Sequence, residues 1–398
     1  MVYKNCREEN QGVTASGFPP VSNTLKHTDM KKTLLMAAAA LFIGTAATAQ
    51  YKYEFTVVKE NPATPVKNQA KTGTCWCFST NSFIESELIR MGKGEHDLSE
   101  MFIVRQNYMK RIADNYLRLG KGNINPGSIS HMYINAMAEH GLMPDEVYDG
   151  INYDSPTHNH DDLSGWVKTL SEKSVEMKKR IPAPMLEGLF DFYLGEVPEK
   201  FTYRGKEYTA KSFFKSLGIN PADYIEITSF THHPFYQQVP LEIPDNWDHQ
   251  LMYNVPLDDF MAIIDNAINT GYTVCWGGDL SNEPGYAMQH SIAVHTLDTL
   301  KKMKQIEYRA TELPVTQESR QKDFEAFITV DDHLEHITGI AKDQEGVKYY
   351  KTKNSWGFTR NADGYHYISE NYIKAKTMYI LVNKNSIPKA IRAKMGLK

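Results

Sequence analysis

Helical periodicity occupies the front of this chain and strand-like segments its end, and that order constrains the fold more than any other feature. From Cys75 the apolar residues Phe78, Phe83, Ile84, Leu88 and Ile89 recur at three-to-four spacing up to Gly92. A second helix is predicted from about Leu98, capped by Ser99 or Asp97, to Gly120, and a third from Ser128 to His140, stopped by Gly141. Upstream, Pro62 and Pro65 keep residues 50–74 extended. The last part reads as strands over roughly 334–341, 347–353, 364–368 and 377–383, preceded by a helix at 257–269 and a strand at 272–276. Between 145 and 250 the pattern is mixed, with helices at 163–179 and 210–217 and a hairpin at 200–208. Helices first and strands later describe a two-lobed α+β design with a cleft between the lobes.

The 398 residues, 41% of them hydrophobic, suffice for a large core. A net charge of −4 without a basic block argues against a nucleic-acid partner. Near the N-terminus, Lys31-Lys32 precedes a short apolar run and then Ala47-Thr-Ala49. This is the layout of a signal peptide over residues 30–49, cleaved near Ala49. The run is too short to span a bilayer comfortably, so no stable membrane anchor is expected. Export across an inner membrane, to the periplasm or beyond, follows. Met30 then reads as the initiator, and residues 1–29 as an upstream extension foreign to the native protein. Cys75, Cys77 and Cys275 remain after cleavage, and three thiols do not make a disulfide framework.

Cys75 stands in Gln69-Ala-Lys-Thr-Gly-Thr-Cys75-Trp76-Cys-Phe78, at the start of the first helix. Unsatisfied N–H groups at a helix start favour a thiolate, and Gly73 permits a tight turn before it. The common fate of a free Cys is burial as a small hydrophobe. Positions 75 and 77 point about 200° apart on a helix, which sends Cys77 into the core. A thiol needs a base, and His290, His295, His333 and His336 are the downstream candidates. A hairpin centred on Asp343-Gln-Glu-Gly346 pairs positions summing to 689. Asn354 then faces Glu335, with His333 one same-face step away and His336 on the other face. His333 is thus the histidine that Asn354 can orient.

Gly73-Thr-Cys75-Trp76, preceded by Asn68-Gln69 and followed far downstream by Asn354-Ser-Trp-Gly357, resembles the papain-like cysteine peptidases, and more closely their bleomycin hydrolase and aminopeptidase C branch. Gly339, six residues past His333, and Leu98-Ser-Glu100 fit the same pattern. The resemblance implies a papain-like two-lobed fold over 50–398. Its parts would be a helical lobe at 75–145, a largely helical insertion at 150–250, a β-barrel-like lobe at 270–385 and a C-terminal tail at 386–398. It implies a Cys75–His333–Asn354 triad, with Gln69 as oxyanion donor and Gly127, Trp76 and Trp356 in the substrate-binding cleft. Peptides would be the substrates, and no metal or organic cofactor is implied. A hexamer is implied by analogy alone. In that branch the C-terminal arm blocks the cleft and restricts the enzyme to N-terminal residues, so an aminopeptidase is expected if the tail from Ile387 to Lys398 reaches the cleft. A papain-like endopeptidase and a catalytically silent binding protein of the same fold remain the alternatives, and Asn354 argues against a transglutaminase-like acyltransferase.

Overall fold

The computed structural model describes residues 53–280, 286–287, 291–296, 310–358 and 363–397. Residues 1–49, where an upstream extension and a signal peptide are expected, and His290 lie outside the described residues. Residues Gln50–Lys398 form one unit.

Eleven strands among the described residues make one sheet. Its order is β5 (Gln237–Pro240), β6 (Leu251–Asn254), β4 (Tyr224–Thr228), β13 (Thr377–Asn383), β7 (Val274–Gly278), β10 (His333–Asp343), β11 (Lys348–Lys353), β12 (Tyr365–Ser369), β9 (Ile292–Ala293) and β8 (Tyr286–Ala287). The remaining strand, β1 (Phe55–Glu60), pairs with the far end of β10. The segment at 145–250 is divided. Its first part adds helices and the small hairpin β2 (Phe201–Tyr203) and β3 (Lys206–Tyr208), while its last part adds β4, β5 and β6 to the main sheet.

Register decides where His333 ends up. Next to the turn the β10–β11 pairs are Lys342 with Lys348, Ala341 with Tyr349 and Ile340 with Tyr350. These sum to 690, because Asp343 N–H closes on the Val347 carbonyl and Gly346 takes a left-handed φ of 82°. A bulge between Ile337 and Gly339 then changes the pairs to Ile337 with Thr352 and His336 with Lys353, summing to 689. The expected register therefore holds at the site end, though the turn itself is one residue offset. The bulge is also where β1 takes over from β7 as the neighbour of β10. Gly339 is required there, since a Cβ would lie 2.6 Å from the Lys59 carbonyl oxygen.

Both sheet faces are covered. Alternate residues Leu334, Cys275, Tyr379 and Leu381 join the core of the helical lobe, with Trp76, Phe78 and Phe83 of α1 (Cys75–Arg90). That lobe continues with α2 (Glu100–Leu117), capped by Ser99 Oγ accepting from Phe102 N–H, and α3 (Ser130–His140). Then come α4 (Asp161–Glu176), α5 (Ala183–Leu194) and α6 (Ala210–Leu217). The opposite face, through Val274, Trp276, Ile337, Ile380 and Val382, packs on Phe260, Ile264 and Ile268 of α7 (Leu257–Asn269). Two short helices follow: α8 (Gln317–Glu325), whose Phe324 packs against the helical-lobe core, and α9 (Glu370–Lys376), which buries Tyr372 and Ile373 on the α7 side.

The C-terminal tail belongs to the α7 face. Helix α10 (Lys389–Lys394) buries Ile391 among the α7 side chains. Asn266 donates to the Ser386 carbonyl, and Lys394 pairs with Asp259 at 3.1 Å. Cys75 lies with the core of the other face, so the expectation of a tail reaching over the cleft is corrected: its apolar residues are held along α7.

Gly339→Ala should destabilise the protein by about 1–3 kcal/mol, the usual range for overpacking, as a lowered midpoint in urea denaturation. An unchanged midpoint would show that β1 does not crowd β10.

Candidate active site

Four segments converge. Helix α1 begins at Cys75, after Thr74 and a turn in which a Cβ on Gly73 would press to 2.6 Å from Pro126 Cγ. Strand β10 starts at His333, and β11 runs out into Asn354. The extended stretch 67–69 is zipped to 355–357: Gln69 N–H donates to the Ser355 carbonyl at 2.8 Å, Gly357 N–H donates to the Lys67 carbonyl at 3.1 Å, and Asn68 bridges Trp356. The two motifs separated by nearly three hundred residues are one hydrogen-bonded unit. Ser355 Oγ also donates to Gln69 Oε1 at 2.6 Å, a side-chain link that motif matching did not assign.

His333 Nε2 lies 2.8 Å from Asn354 Oδ1. That same oxygen accepts from the Ser355 N–H at 2.7 Å, which fixes which way the amide points. An oxygen can only accept, so Nε2 carries the hydrogen and Nδ1 keeps its lone pair. The Trp356 ring sits 4.6 Å from the His333 ring, centroid to centroid, and shields this bond. His336 points to the other face, with Nδ1 2.9 Å from Ser82 Oγ of α1. His295 is placed elsewhere, its carbonyl accepting from Leu313 N–H.

The Leu334 backbone N–H, one residue past His333, favours the Cys75 thiolate. Burial pushes the Cys75 thiol up to about 12, and the carboxylates of Asp245, Asp331 and Asp332 add to the rise. Burial also holds His333 below its usual value, against the pull of Glu335 and Asn354. The neutral thiol and neutral imidazole are therefore the favoured resting forms. Cys77 turns into the core and donates to the Glu100 carbonyl at 3.3 Å, while Cys275 sits among Ser79, Thr80 and Ser130.

The remaining expected residues divide. Gln69 Nε2 donates to the Thr72 carbonyl at 2.7 Å with one of its two hydrogens. Trp76 is fully buried and donates its indole N–H to the Pro126 carbonyl at 3.1 Å. Its placement as a substrate contact is thus corrected to that of an anchor for segment 126–127. The Gly127 carbonyl accepts from Arg111, and a Cβ on Gly127 would meet Asp245 Oδ2 at 2.4 Å, so its backbone faces are largely engaged. Sequence reasoning missed Asp245 altogether. It also missed Glu335 and His366 behind His333, although the period-two spacing of His333 and Glu335 placed them on one face.

Among the described residues, His232, His233 and Glu242 are grouped closely enough to share a metal ion. However, Gln321 Nε2 donates to His232 Nδ1 while Gln321 Oε1 accepts from Thr231 N–H. That leaves the hydrogen on His232 Nε2, which already pairs with Glu242.

A large mixed sheet with a helical lobe on one face and a Cys-headed helix beside a His–Asn pair define the papain-like α+β class. The profile of the peptidase C1-like family matches residues 123–397, and that of the papain family cysteine proteases matches residues 52–178. The chain belongs to the peptidase C1-like family and is a cysteine-type peptidase. Cysteine proteinase 1, mitochondrial, of Saccharomyces cerevisiae is 21% identical, the match covering 89% of this chain and 82% of that protein. Aminopeptidase G of Lactobacillus delbrueckii subsp. lactis is 22% identical, covering 83% of each. The crystal structure of PepW from Lactobacillus rhamnosis superposes with a TM-score of 0.65 at 18% identity, over 92% of both chains.

Cys75 is 9% exposed, whereas Cys77 and Cys275 are at 0%. Iodoacetamide on the folded protein should therefore label Cys75 first among the three, with the other two reacting only in denaturant. Peptide mass mapping that finds Cys77 or Cys275 labelled natively at a comparable rate would contradict this burial.

Proposed function

We propose that this chain hydrolyses peptide bonds through Cys75, His333 and Asn354, as an exported aminopeptidase. The observation that carries the reading is the His333–Asn354 bond at the start of the strand whose next amide, that of Leu334, favours the Cys75 thiolate. His333 Nδ1 accepts the thiol proton as the sulfur attacks the scissile carbonyl, and the imidazolium returns that proton to the departing amine. Water, deprotonated by the same nitrogen, then releases the acyl group. Asn354 keeps the hydrogen on Nε2, so that Nδ1 faces the chemistry. The Cys75 backbone N–H and the second amide hydrogen of Gln69 are the donors for the oxyanion, and Ser355 sets the Gln69 amide.

Release of N-terminal residues is favoured by the relatives named aminopeptidases C, E and G. Burial pushes Asp245 and Asp331, near Cys75, above the usual carboxylate range, and a substrate ammonium would be the counter-charge that favours their ionised forms. The tail along α7 does not supply that charge, which keeps endopeptidase activity as the reading to be separated by experiment. Export rests on the Lys31-Lys32, apolar and Ala47-x-Ala49 pattern. Among the described residues no helix is long and apolar enough to cross a membrane.

Cys75→Ala should reduce turnover of an aminoacyl-coumarin to background. Gln69→Ala should lower kcat about 10²–10³-fold, as for loss of one oxyanion donor. N-acetylation of the same substrate should abolish its cleavage. Turnover that persists in Cys75→Ala would refute the mechanism, and equal cleavage of acetylated substrate would reassign the enzyme as an endopeptidase.

A further inference from the structure

Behind His333, on the side away from the thiol, lies a carboxylate that the proposed mechanism does not use. Glu335 is two residues along β10, so its side chain emerges on the same face as that of His333. It is completely buried. Its Oε1 lies 2.6 Å from His366 Nδ1 and 3.9 Å from His333 Nε2. Its Oε2 accepts from the Thr352 hydroxyl. The Trp356 ring faces His333 and meets His366 edge-on, with centroids 5.8 Å apart. The indole thus helps exclude water from both imidazoles.

We infer that Glu335 is a positioning residue that places a fixed negative charge behind His333 and stabilises the imidazolium formed when Cys75 gives up its proton. This rests on the Cys75–His333 reading above. Asn354 Oδ1 is already the hydrogen-bond acceptor for His333 Nε2, so Glu335 at 3.9 Å acts through its charge rather than through a second bond. In a buried setting a charge at this distance is felt far more strongly than in water. An isolated carboxylate would not stay ionised there. Attraction to His366 and the hydrogen bond from it, then His333 and the Thr352 hydroxyl, hold it so, and against the effect of burial they keep Glu335 below its ordinary value.

The titratable groups facing His333 among the described residues are few. Asp332 and Glu335 come from its own segment, His366 from β12 and Cys75 from α1. Across the sheet, β7 opposes β10 with Trp276, Gly277 and Gly278, and β11 contributes Thr352 and then Asn354, all uncharged. Glu335 raises His333, Asp332 adds to the rise, and His366 opposes it.

The experiment is the pH profile of kcat/KM for the full chain and Glu335→Gln, with Cys75→Ala as the blank. The acid limb reports protonation of His333 in the free enzyme, which removes the base that takes the thiol proton. Glu335→Gln keeps the shape but removes the charge. Its acid limb should move down by about one pH unit, a tenfold loss of imidazolium stability. KM should stay within twofold, and the rate of iodoacetamide labelling of Cys75 at neutral pH should fall in parallel. Glu335→Asp keeps the charge but draws it back, so its limb should lie between the other two; this variant also serves if the Gln protein does not fold. If activity falls or the protein melts earlier while the limb of either variant stays at the wild-type pH, Glu335 is structural and the inference is overturned. That failure is separate from failure of the mechanism, which shows as turnover in Cys75→Ala.

Discussion

The pairing of β10 with β11 is the constraint on which the site depends. It is a short antiparallel ladder, but it runs from a turn far from the cleft to the two residues that meet at it, His333 and Asn354. A one-residue slip would send every β10 side chain to the opposite face. His333 would then point into the α1 packing, and His336 would take its place. The bulge at Thr338 converts the register dictated by the turn into the register needed at the site. The change of neighbour from β7 to β1 at the same point lets the sheet absorb it. Asn61 N–H donates to the Thr338 carbonyl at 2.9 Å, so the bulge leaves that acceptor satisfied.

Helix α1 must then be held against this ladder at a fixed height, and it is buried on nearly every side. Apolar packing alone would allow sliding. The polar groups inside it resist that: Asn81 donates to Glu85, to the Leu98 carbonyl and to Glu100, and Glu85 accepts from the Leu98 N–H at 2.8 Å. Lys353 of β11 donates to Ser82 Oγ at 2.7 Å, and the same oxygen lies against His336 of β10. One serine thus ties the helix to both strands of the ladder. Burial draws the Lys353 ammonium down to about 8 even though Glu85 and Glu100 favour its charge. Buried charges of this kind add specificity of position more readily than stability.

Much of this was legible in the sequence because the informative residues are local. Cys75 at a helix start, Ser99 as a cap and the strands around 334–341 and 347–353 need no long-range information. The hairpin placed His333 near Asn354 from spacing alone. What was not legible depends on tertiary partners. The strands β4, β5 and β6 are short and become strands by joining the edge beyond β13. Helix α5 was hidden by Pro182 and Pro184, though Pro184 sits in its first turn, where a missing N–H costs nothing. Trp76 beside the nucleophile suggested a cleft residue, but the helix turns it inward to the Pro126 carbonyl. The tail reads from sequence as an arm that could reach the cleft. Its docking follows from Ile387, Ile391 and Met395 matching the apolar face of α7, a complementarity invisible without both surfaces.

Charge around the sulfur is distributed in a way that links these features. No acidic or basic residue stands in the first turn of α1, and Asp245, Asp331 and Asp332 all disfavour a lone thiolate. A negative setting of this kind penalises a thiolate far less when a cation forms beside it. Proton transfer to His333 keeps the net charge of the pair at zero, and the new imidazolium gains from Glu335 and from Asp332, the latter one of the carboxylates that opposed the thiolate. On the proposed reading, a substrate ammonium entering the cleft would shift the balance further the same way, by offsetting the carboxylates nearest the sulfur. Ionisation of Cys75 would then be tied to both the histidine and the bound substrate, so a thiol that burial protects in the free enzyme becomes reactive where a peptide N-terminus is present. This coupling needs no movement of the backbone.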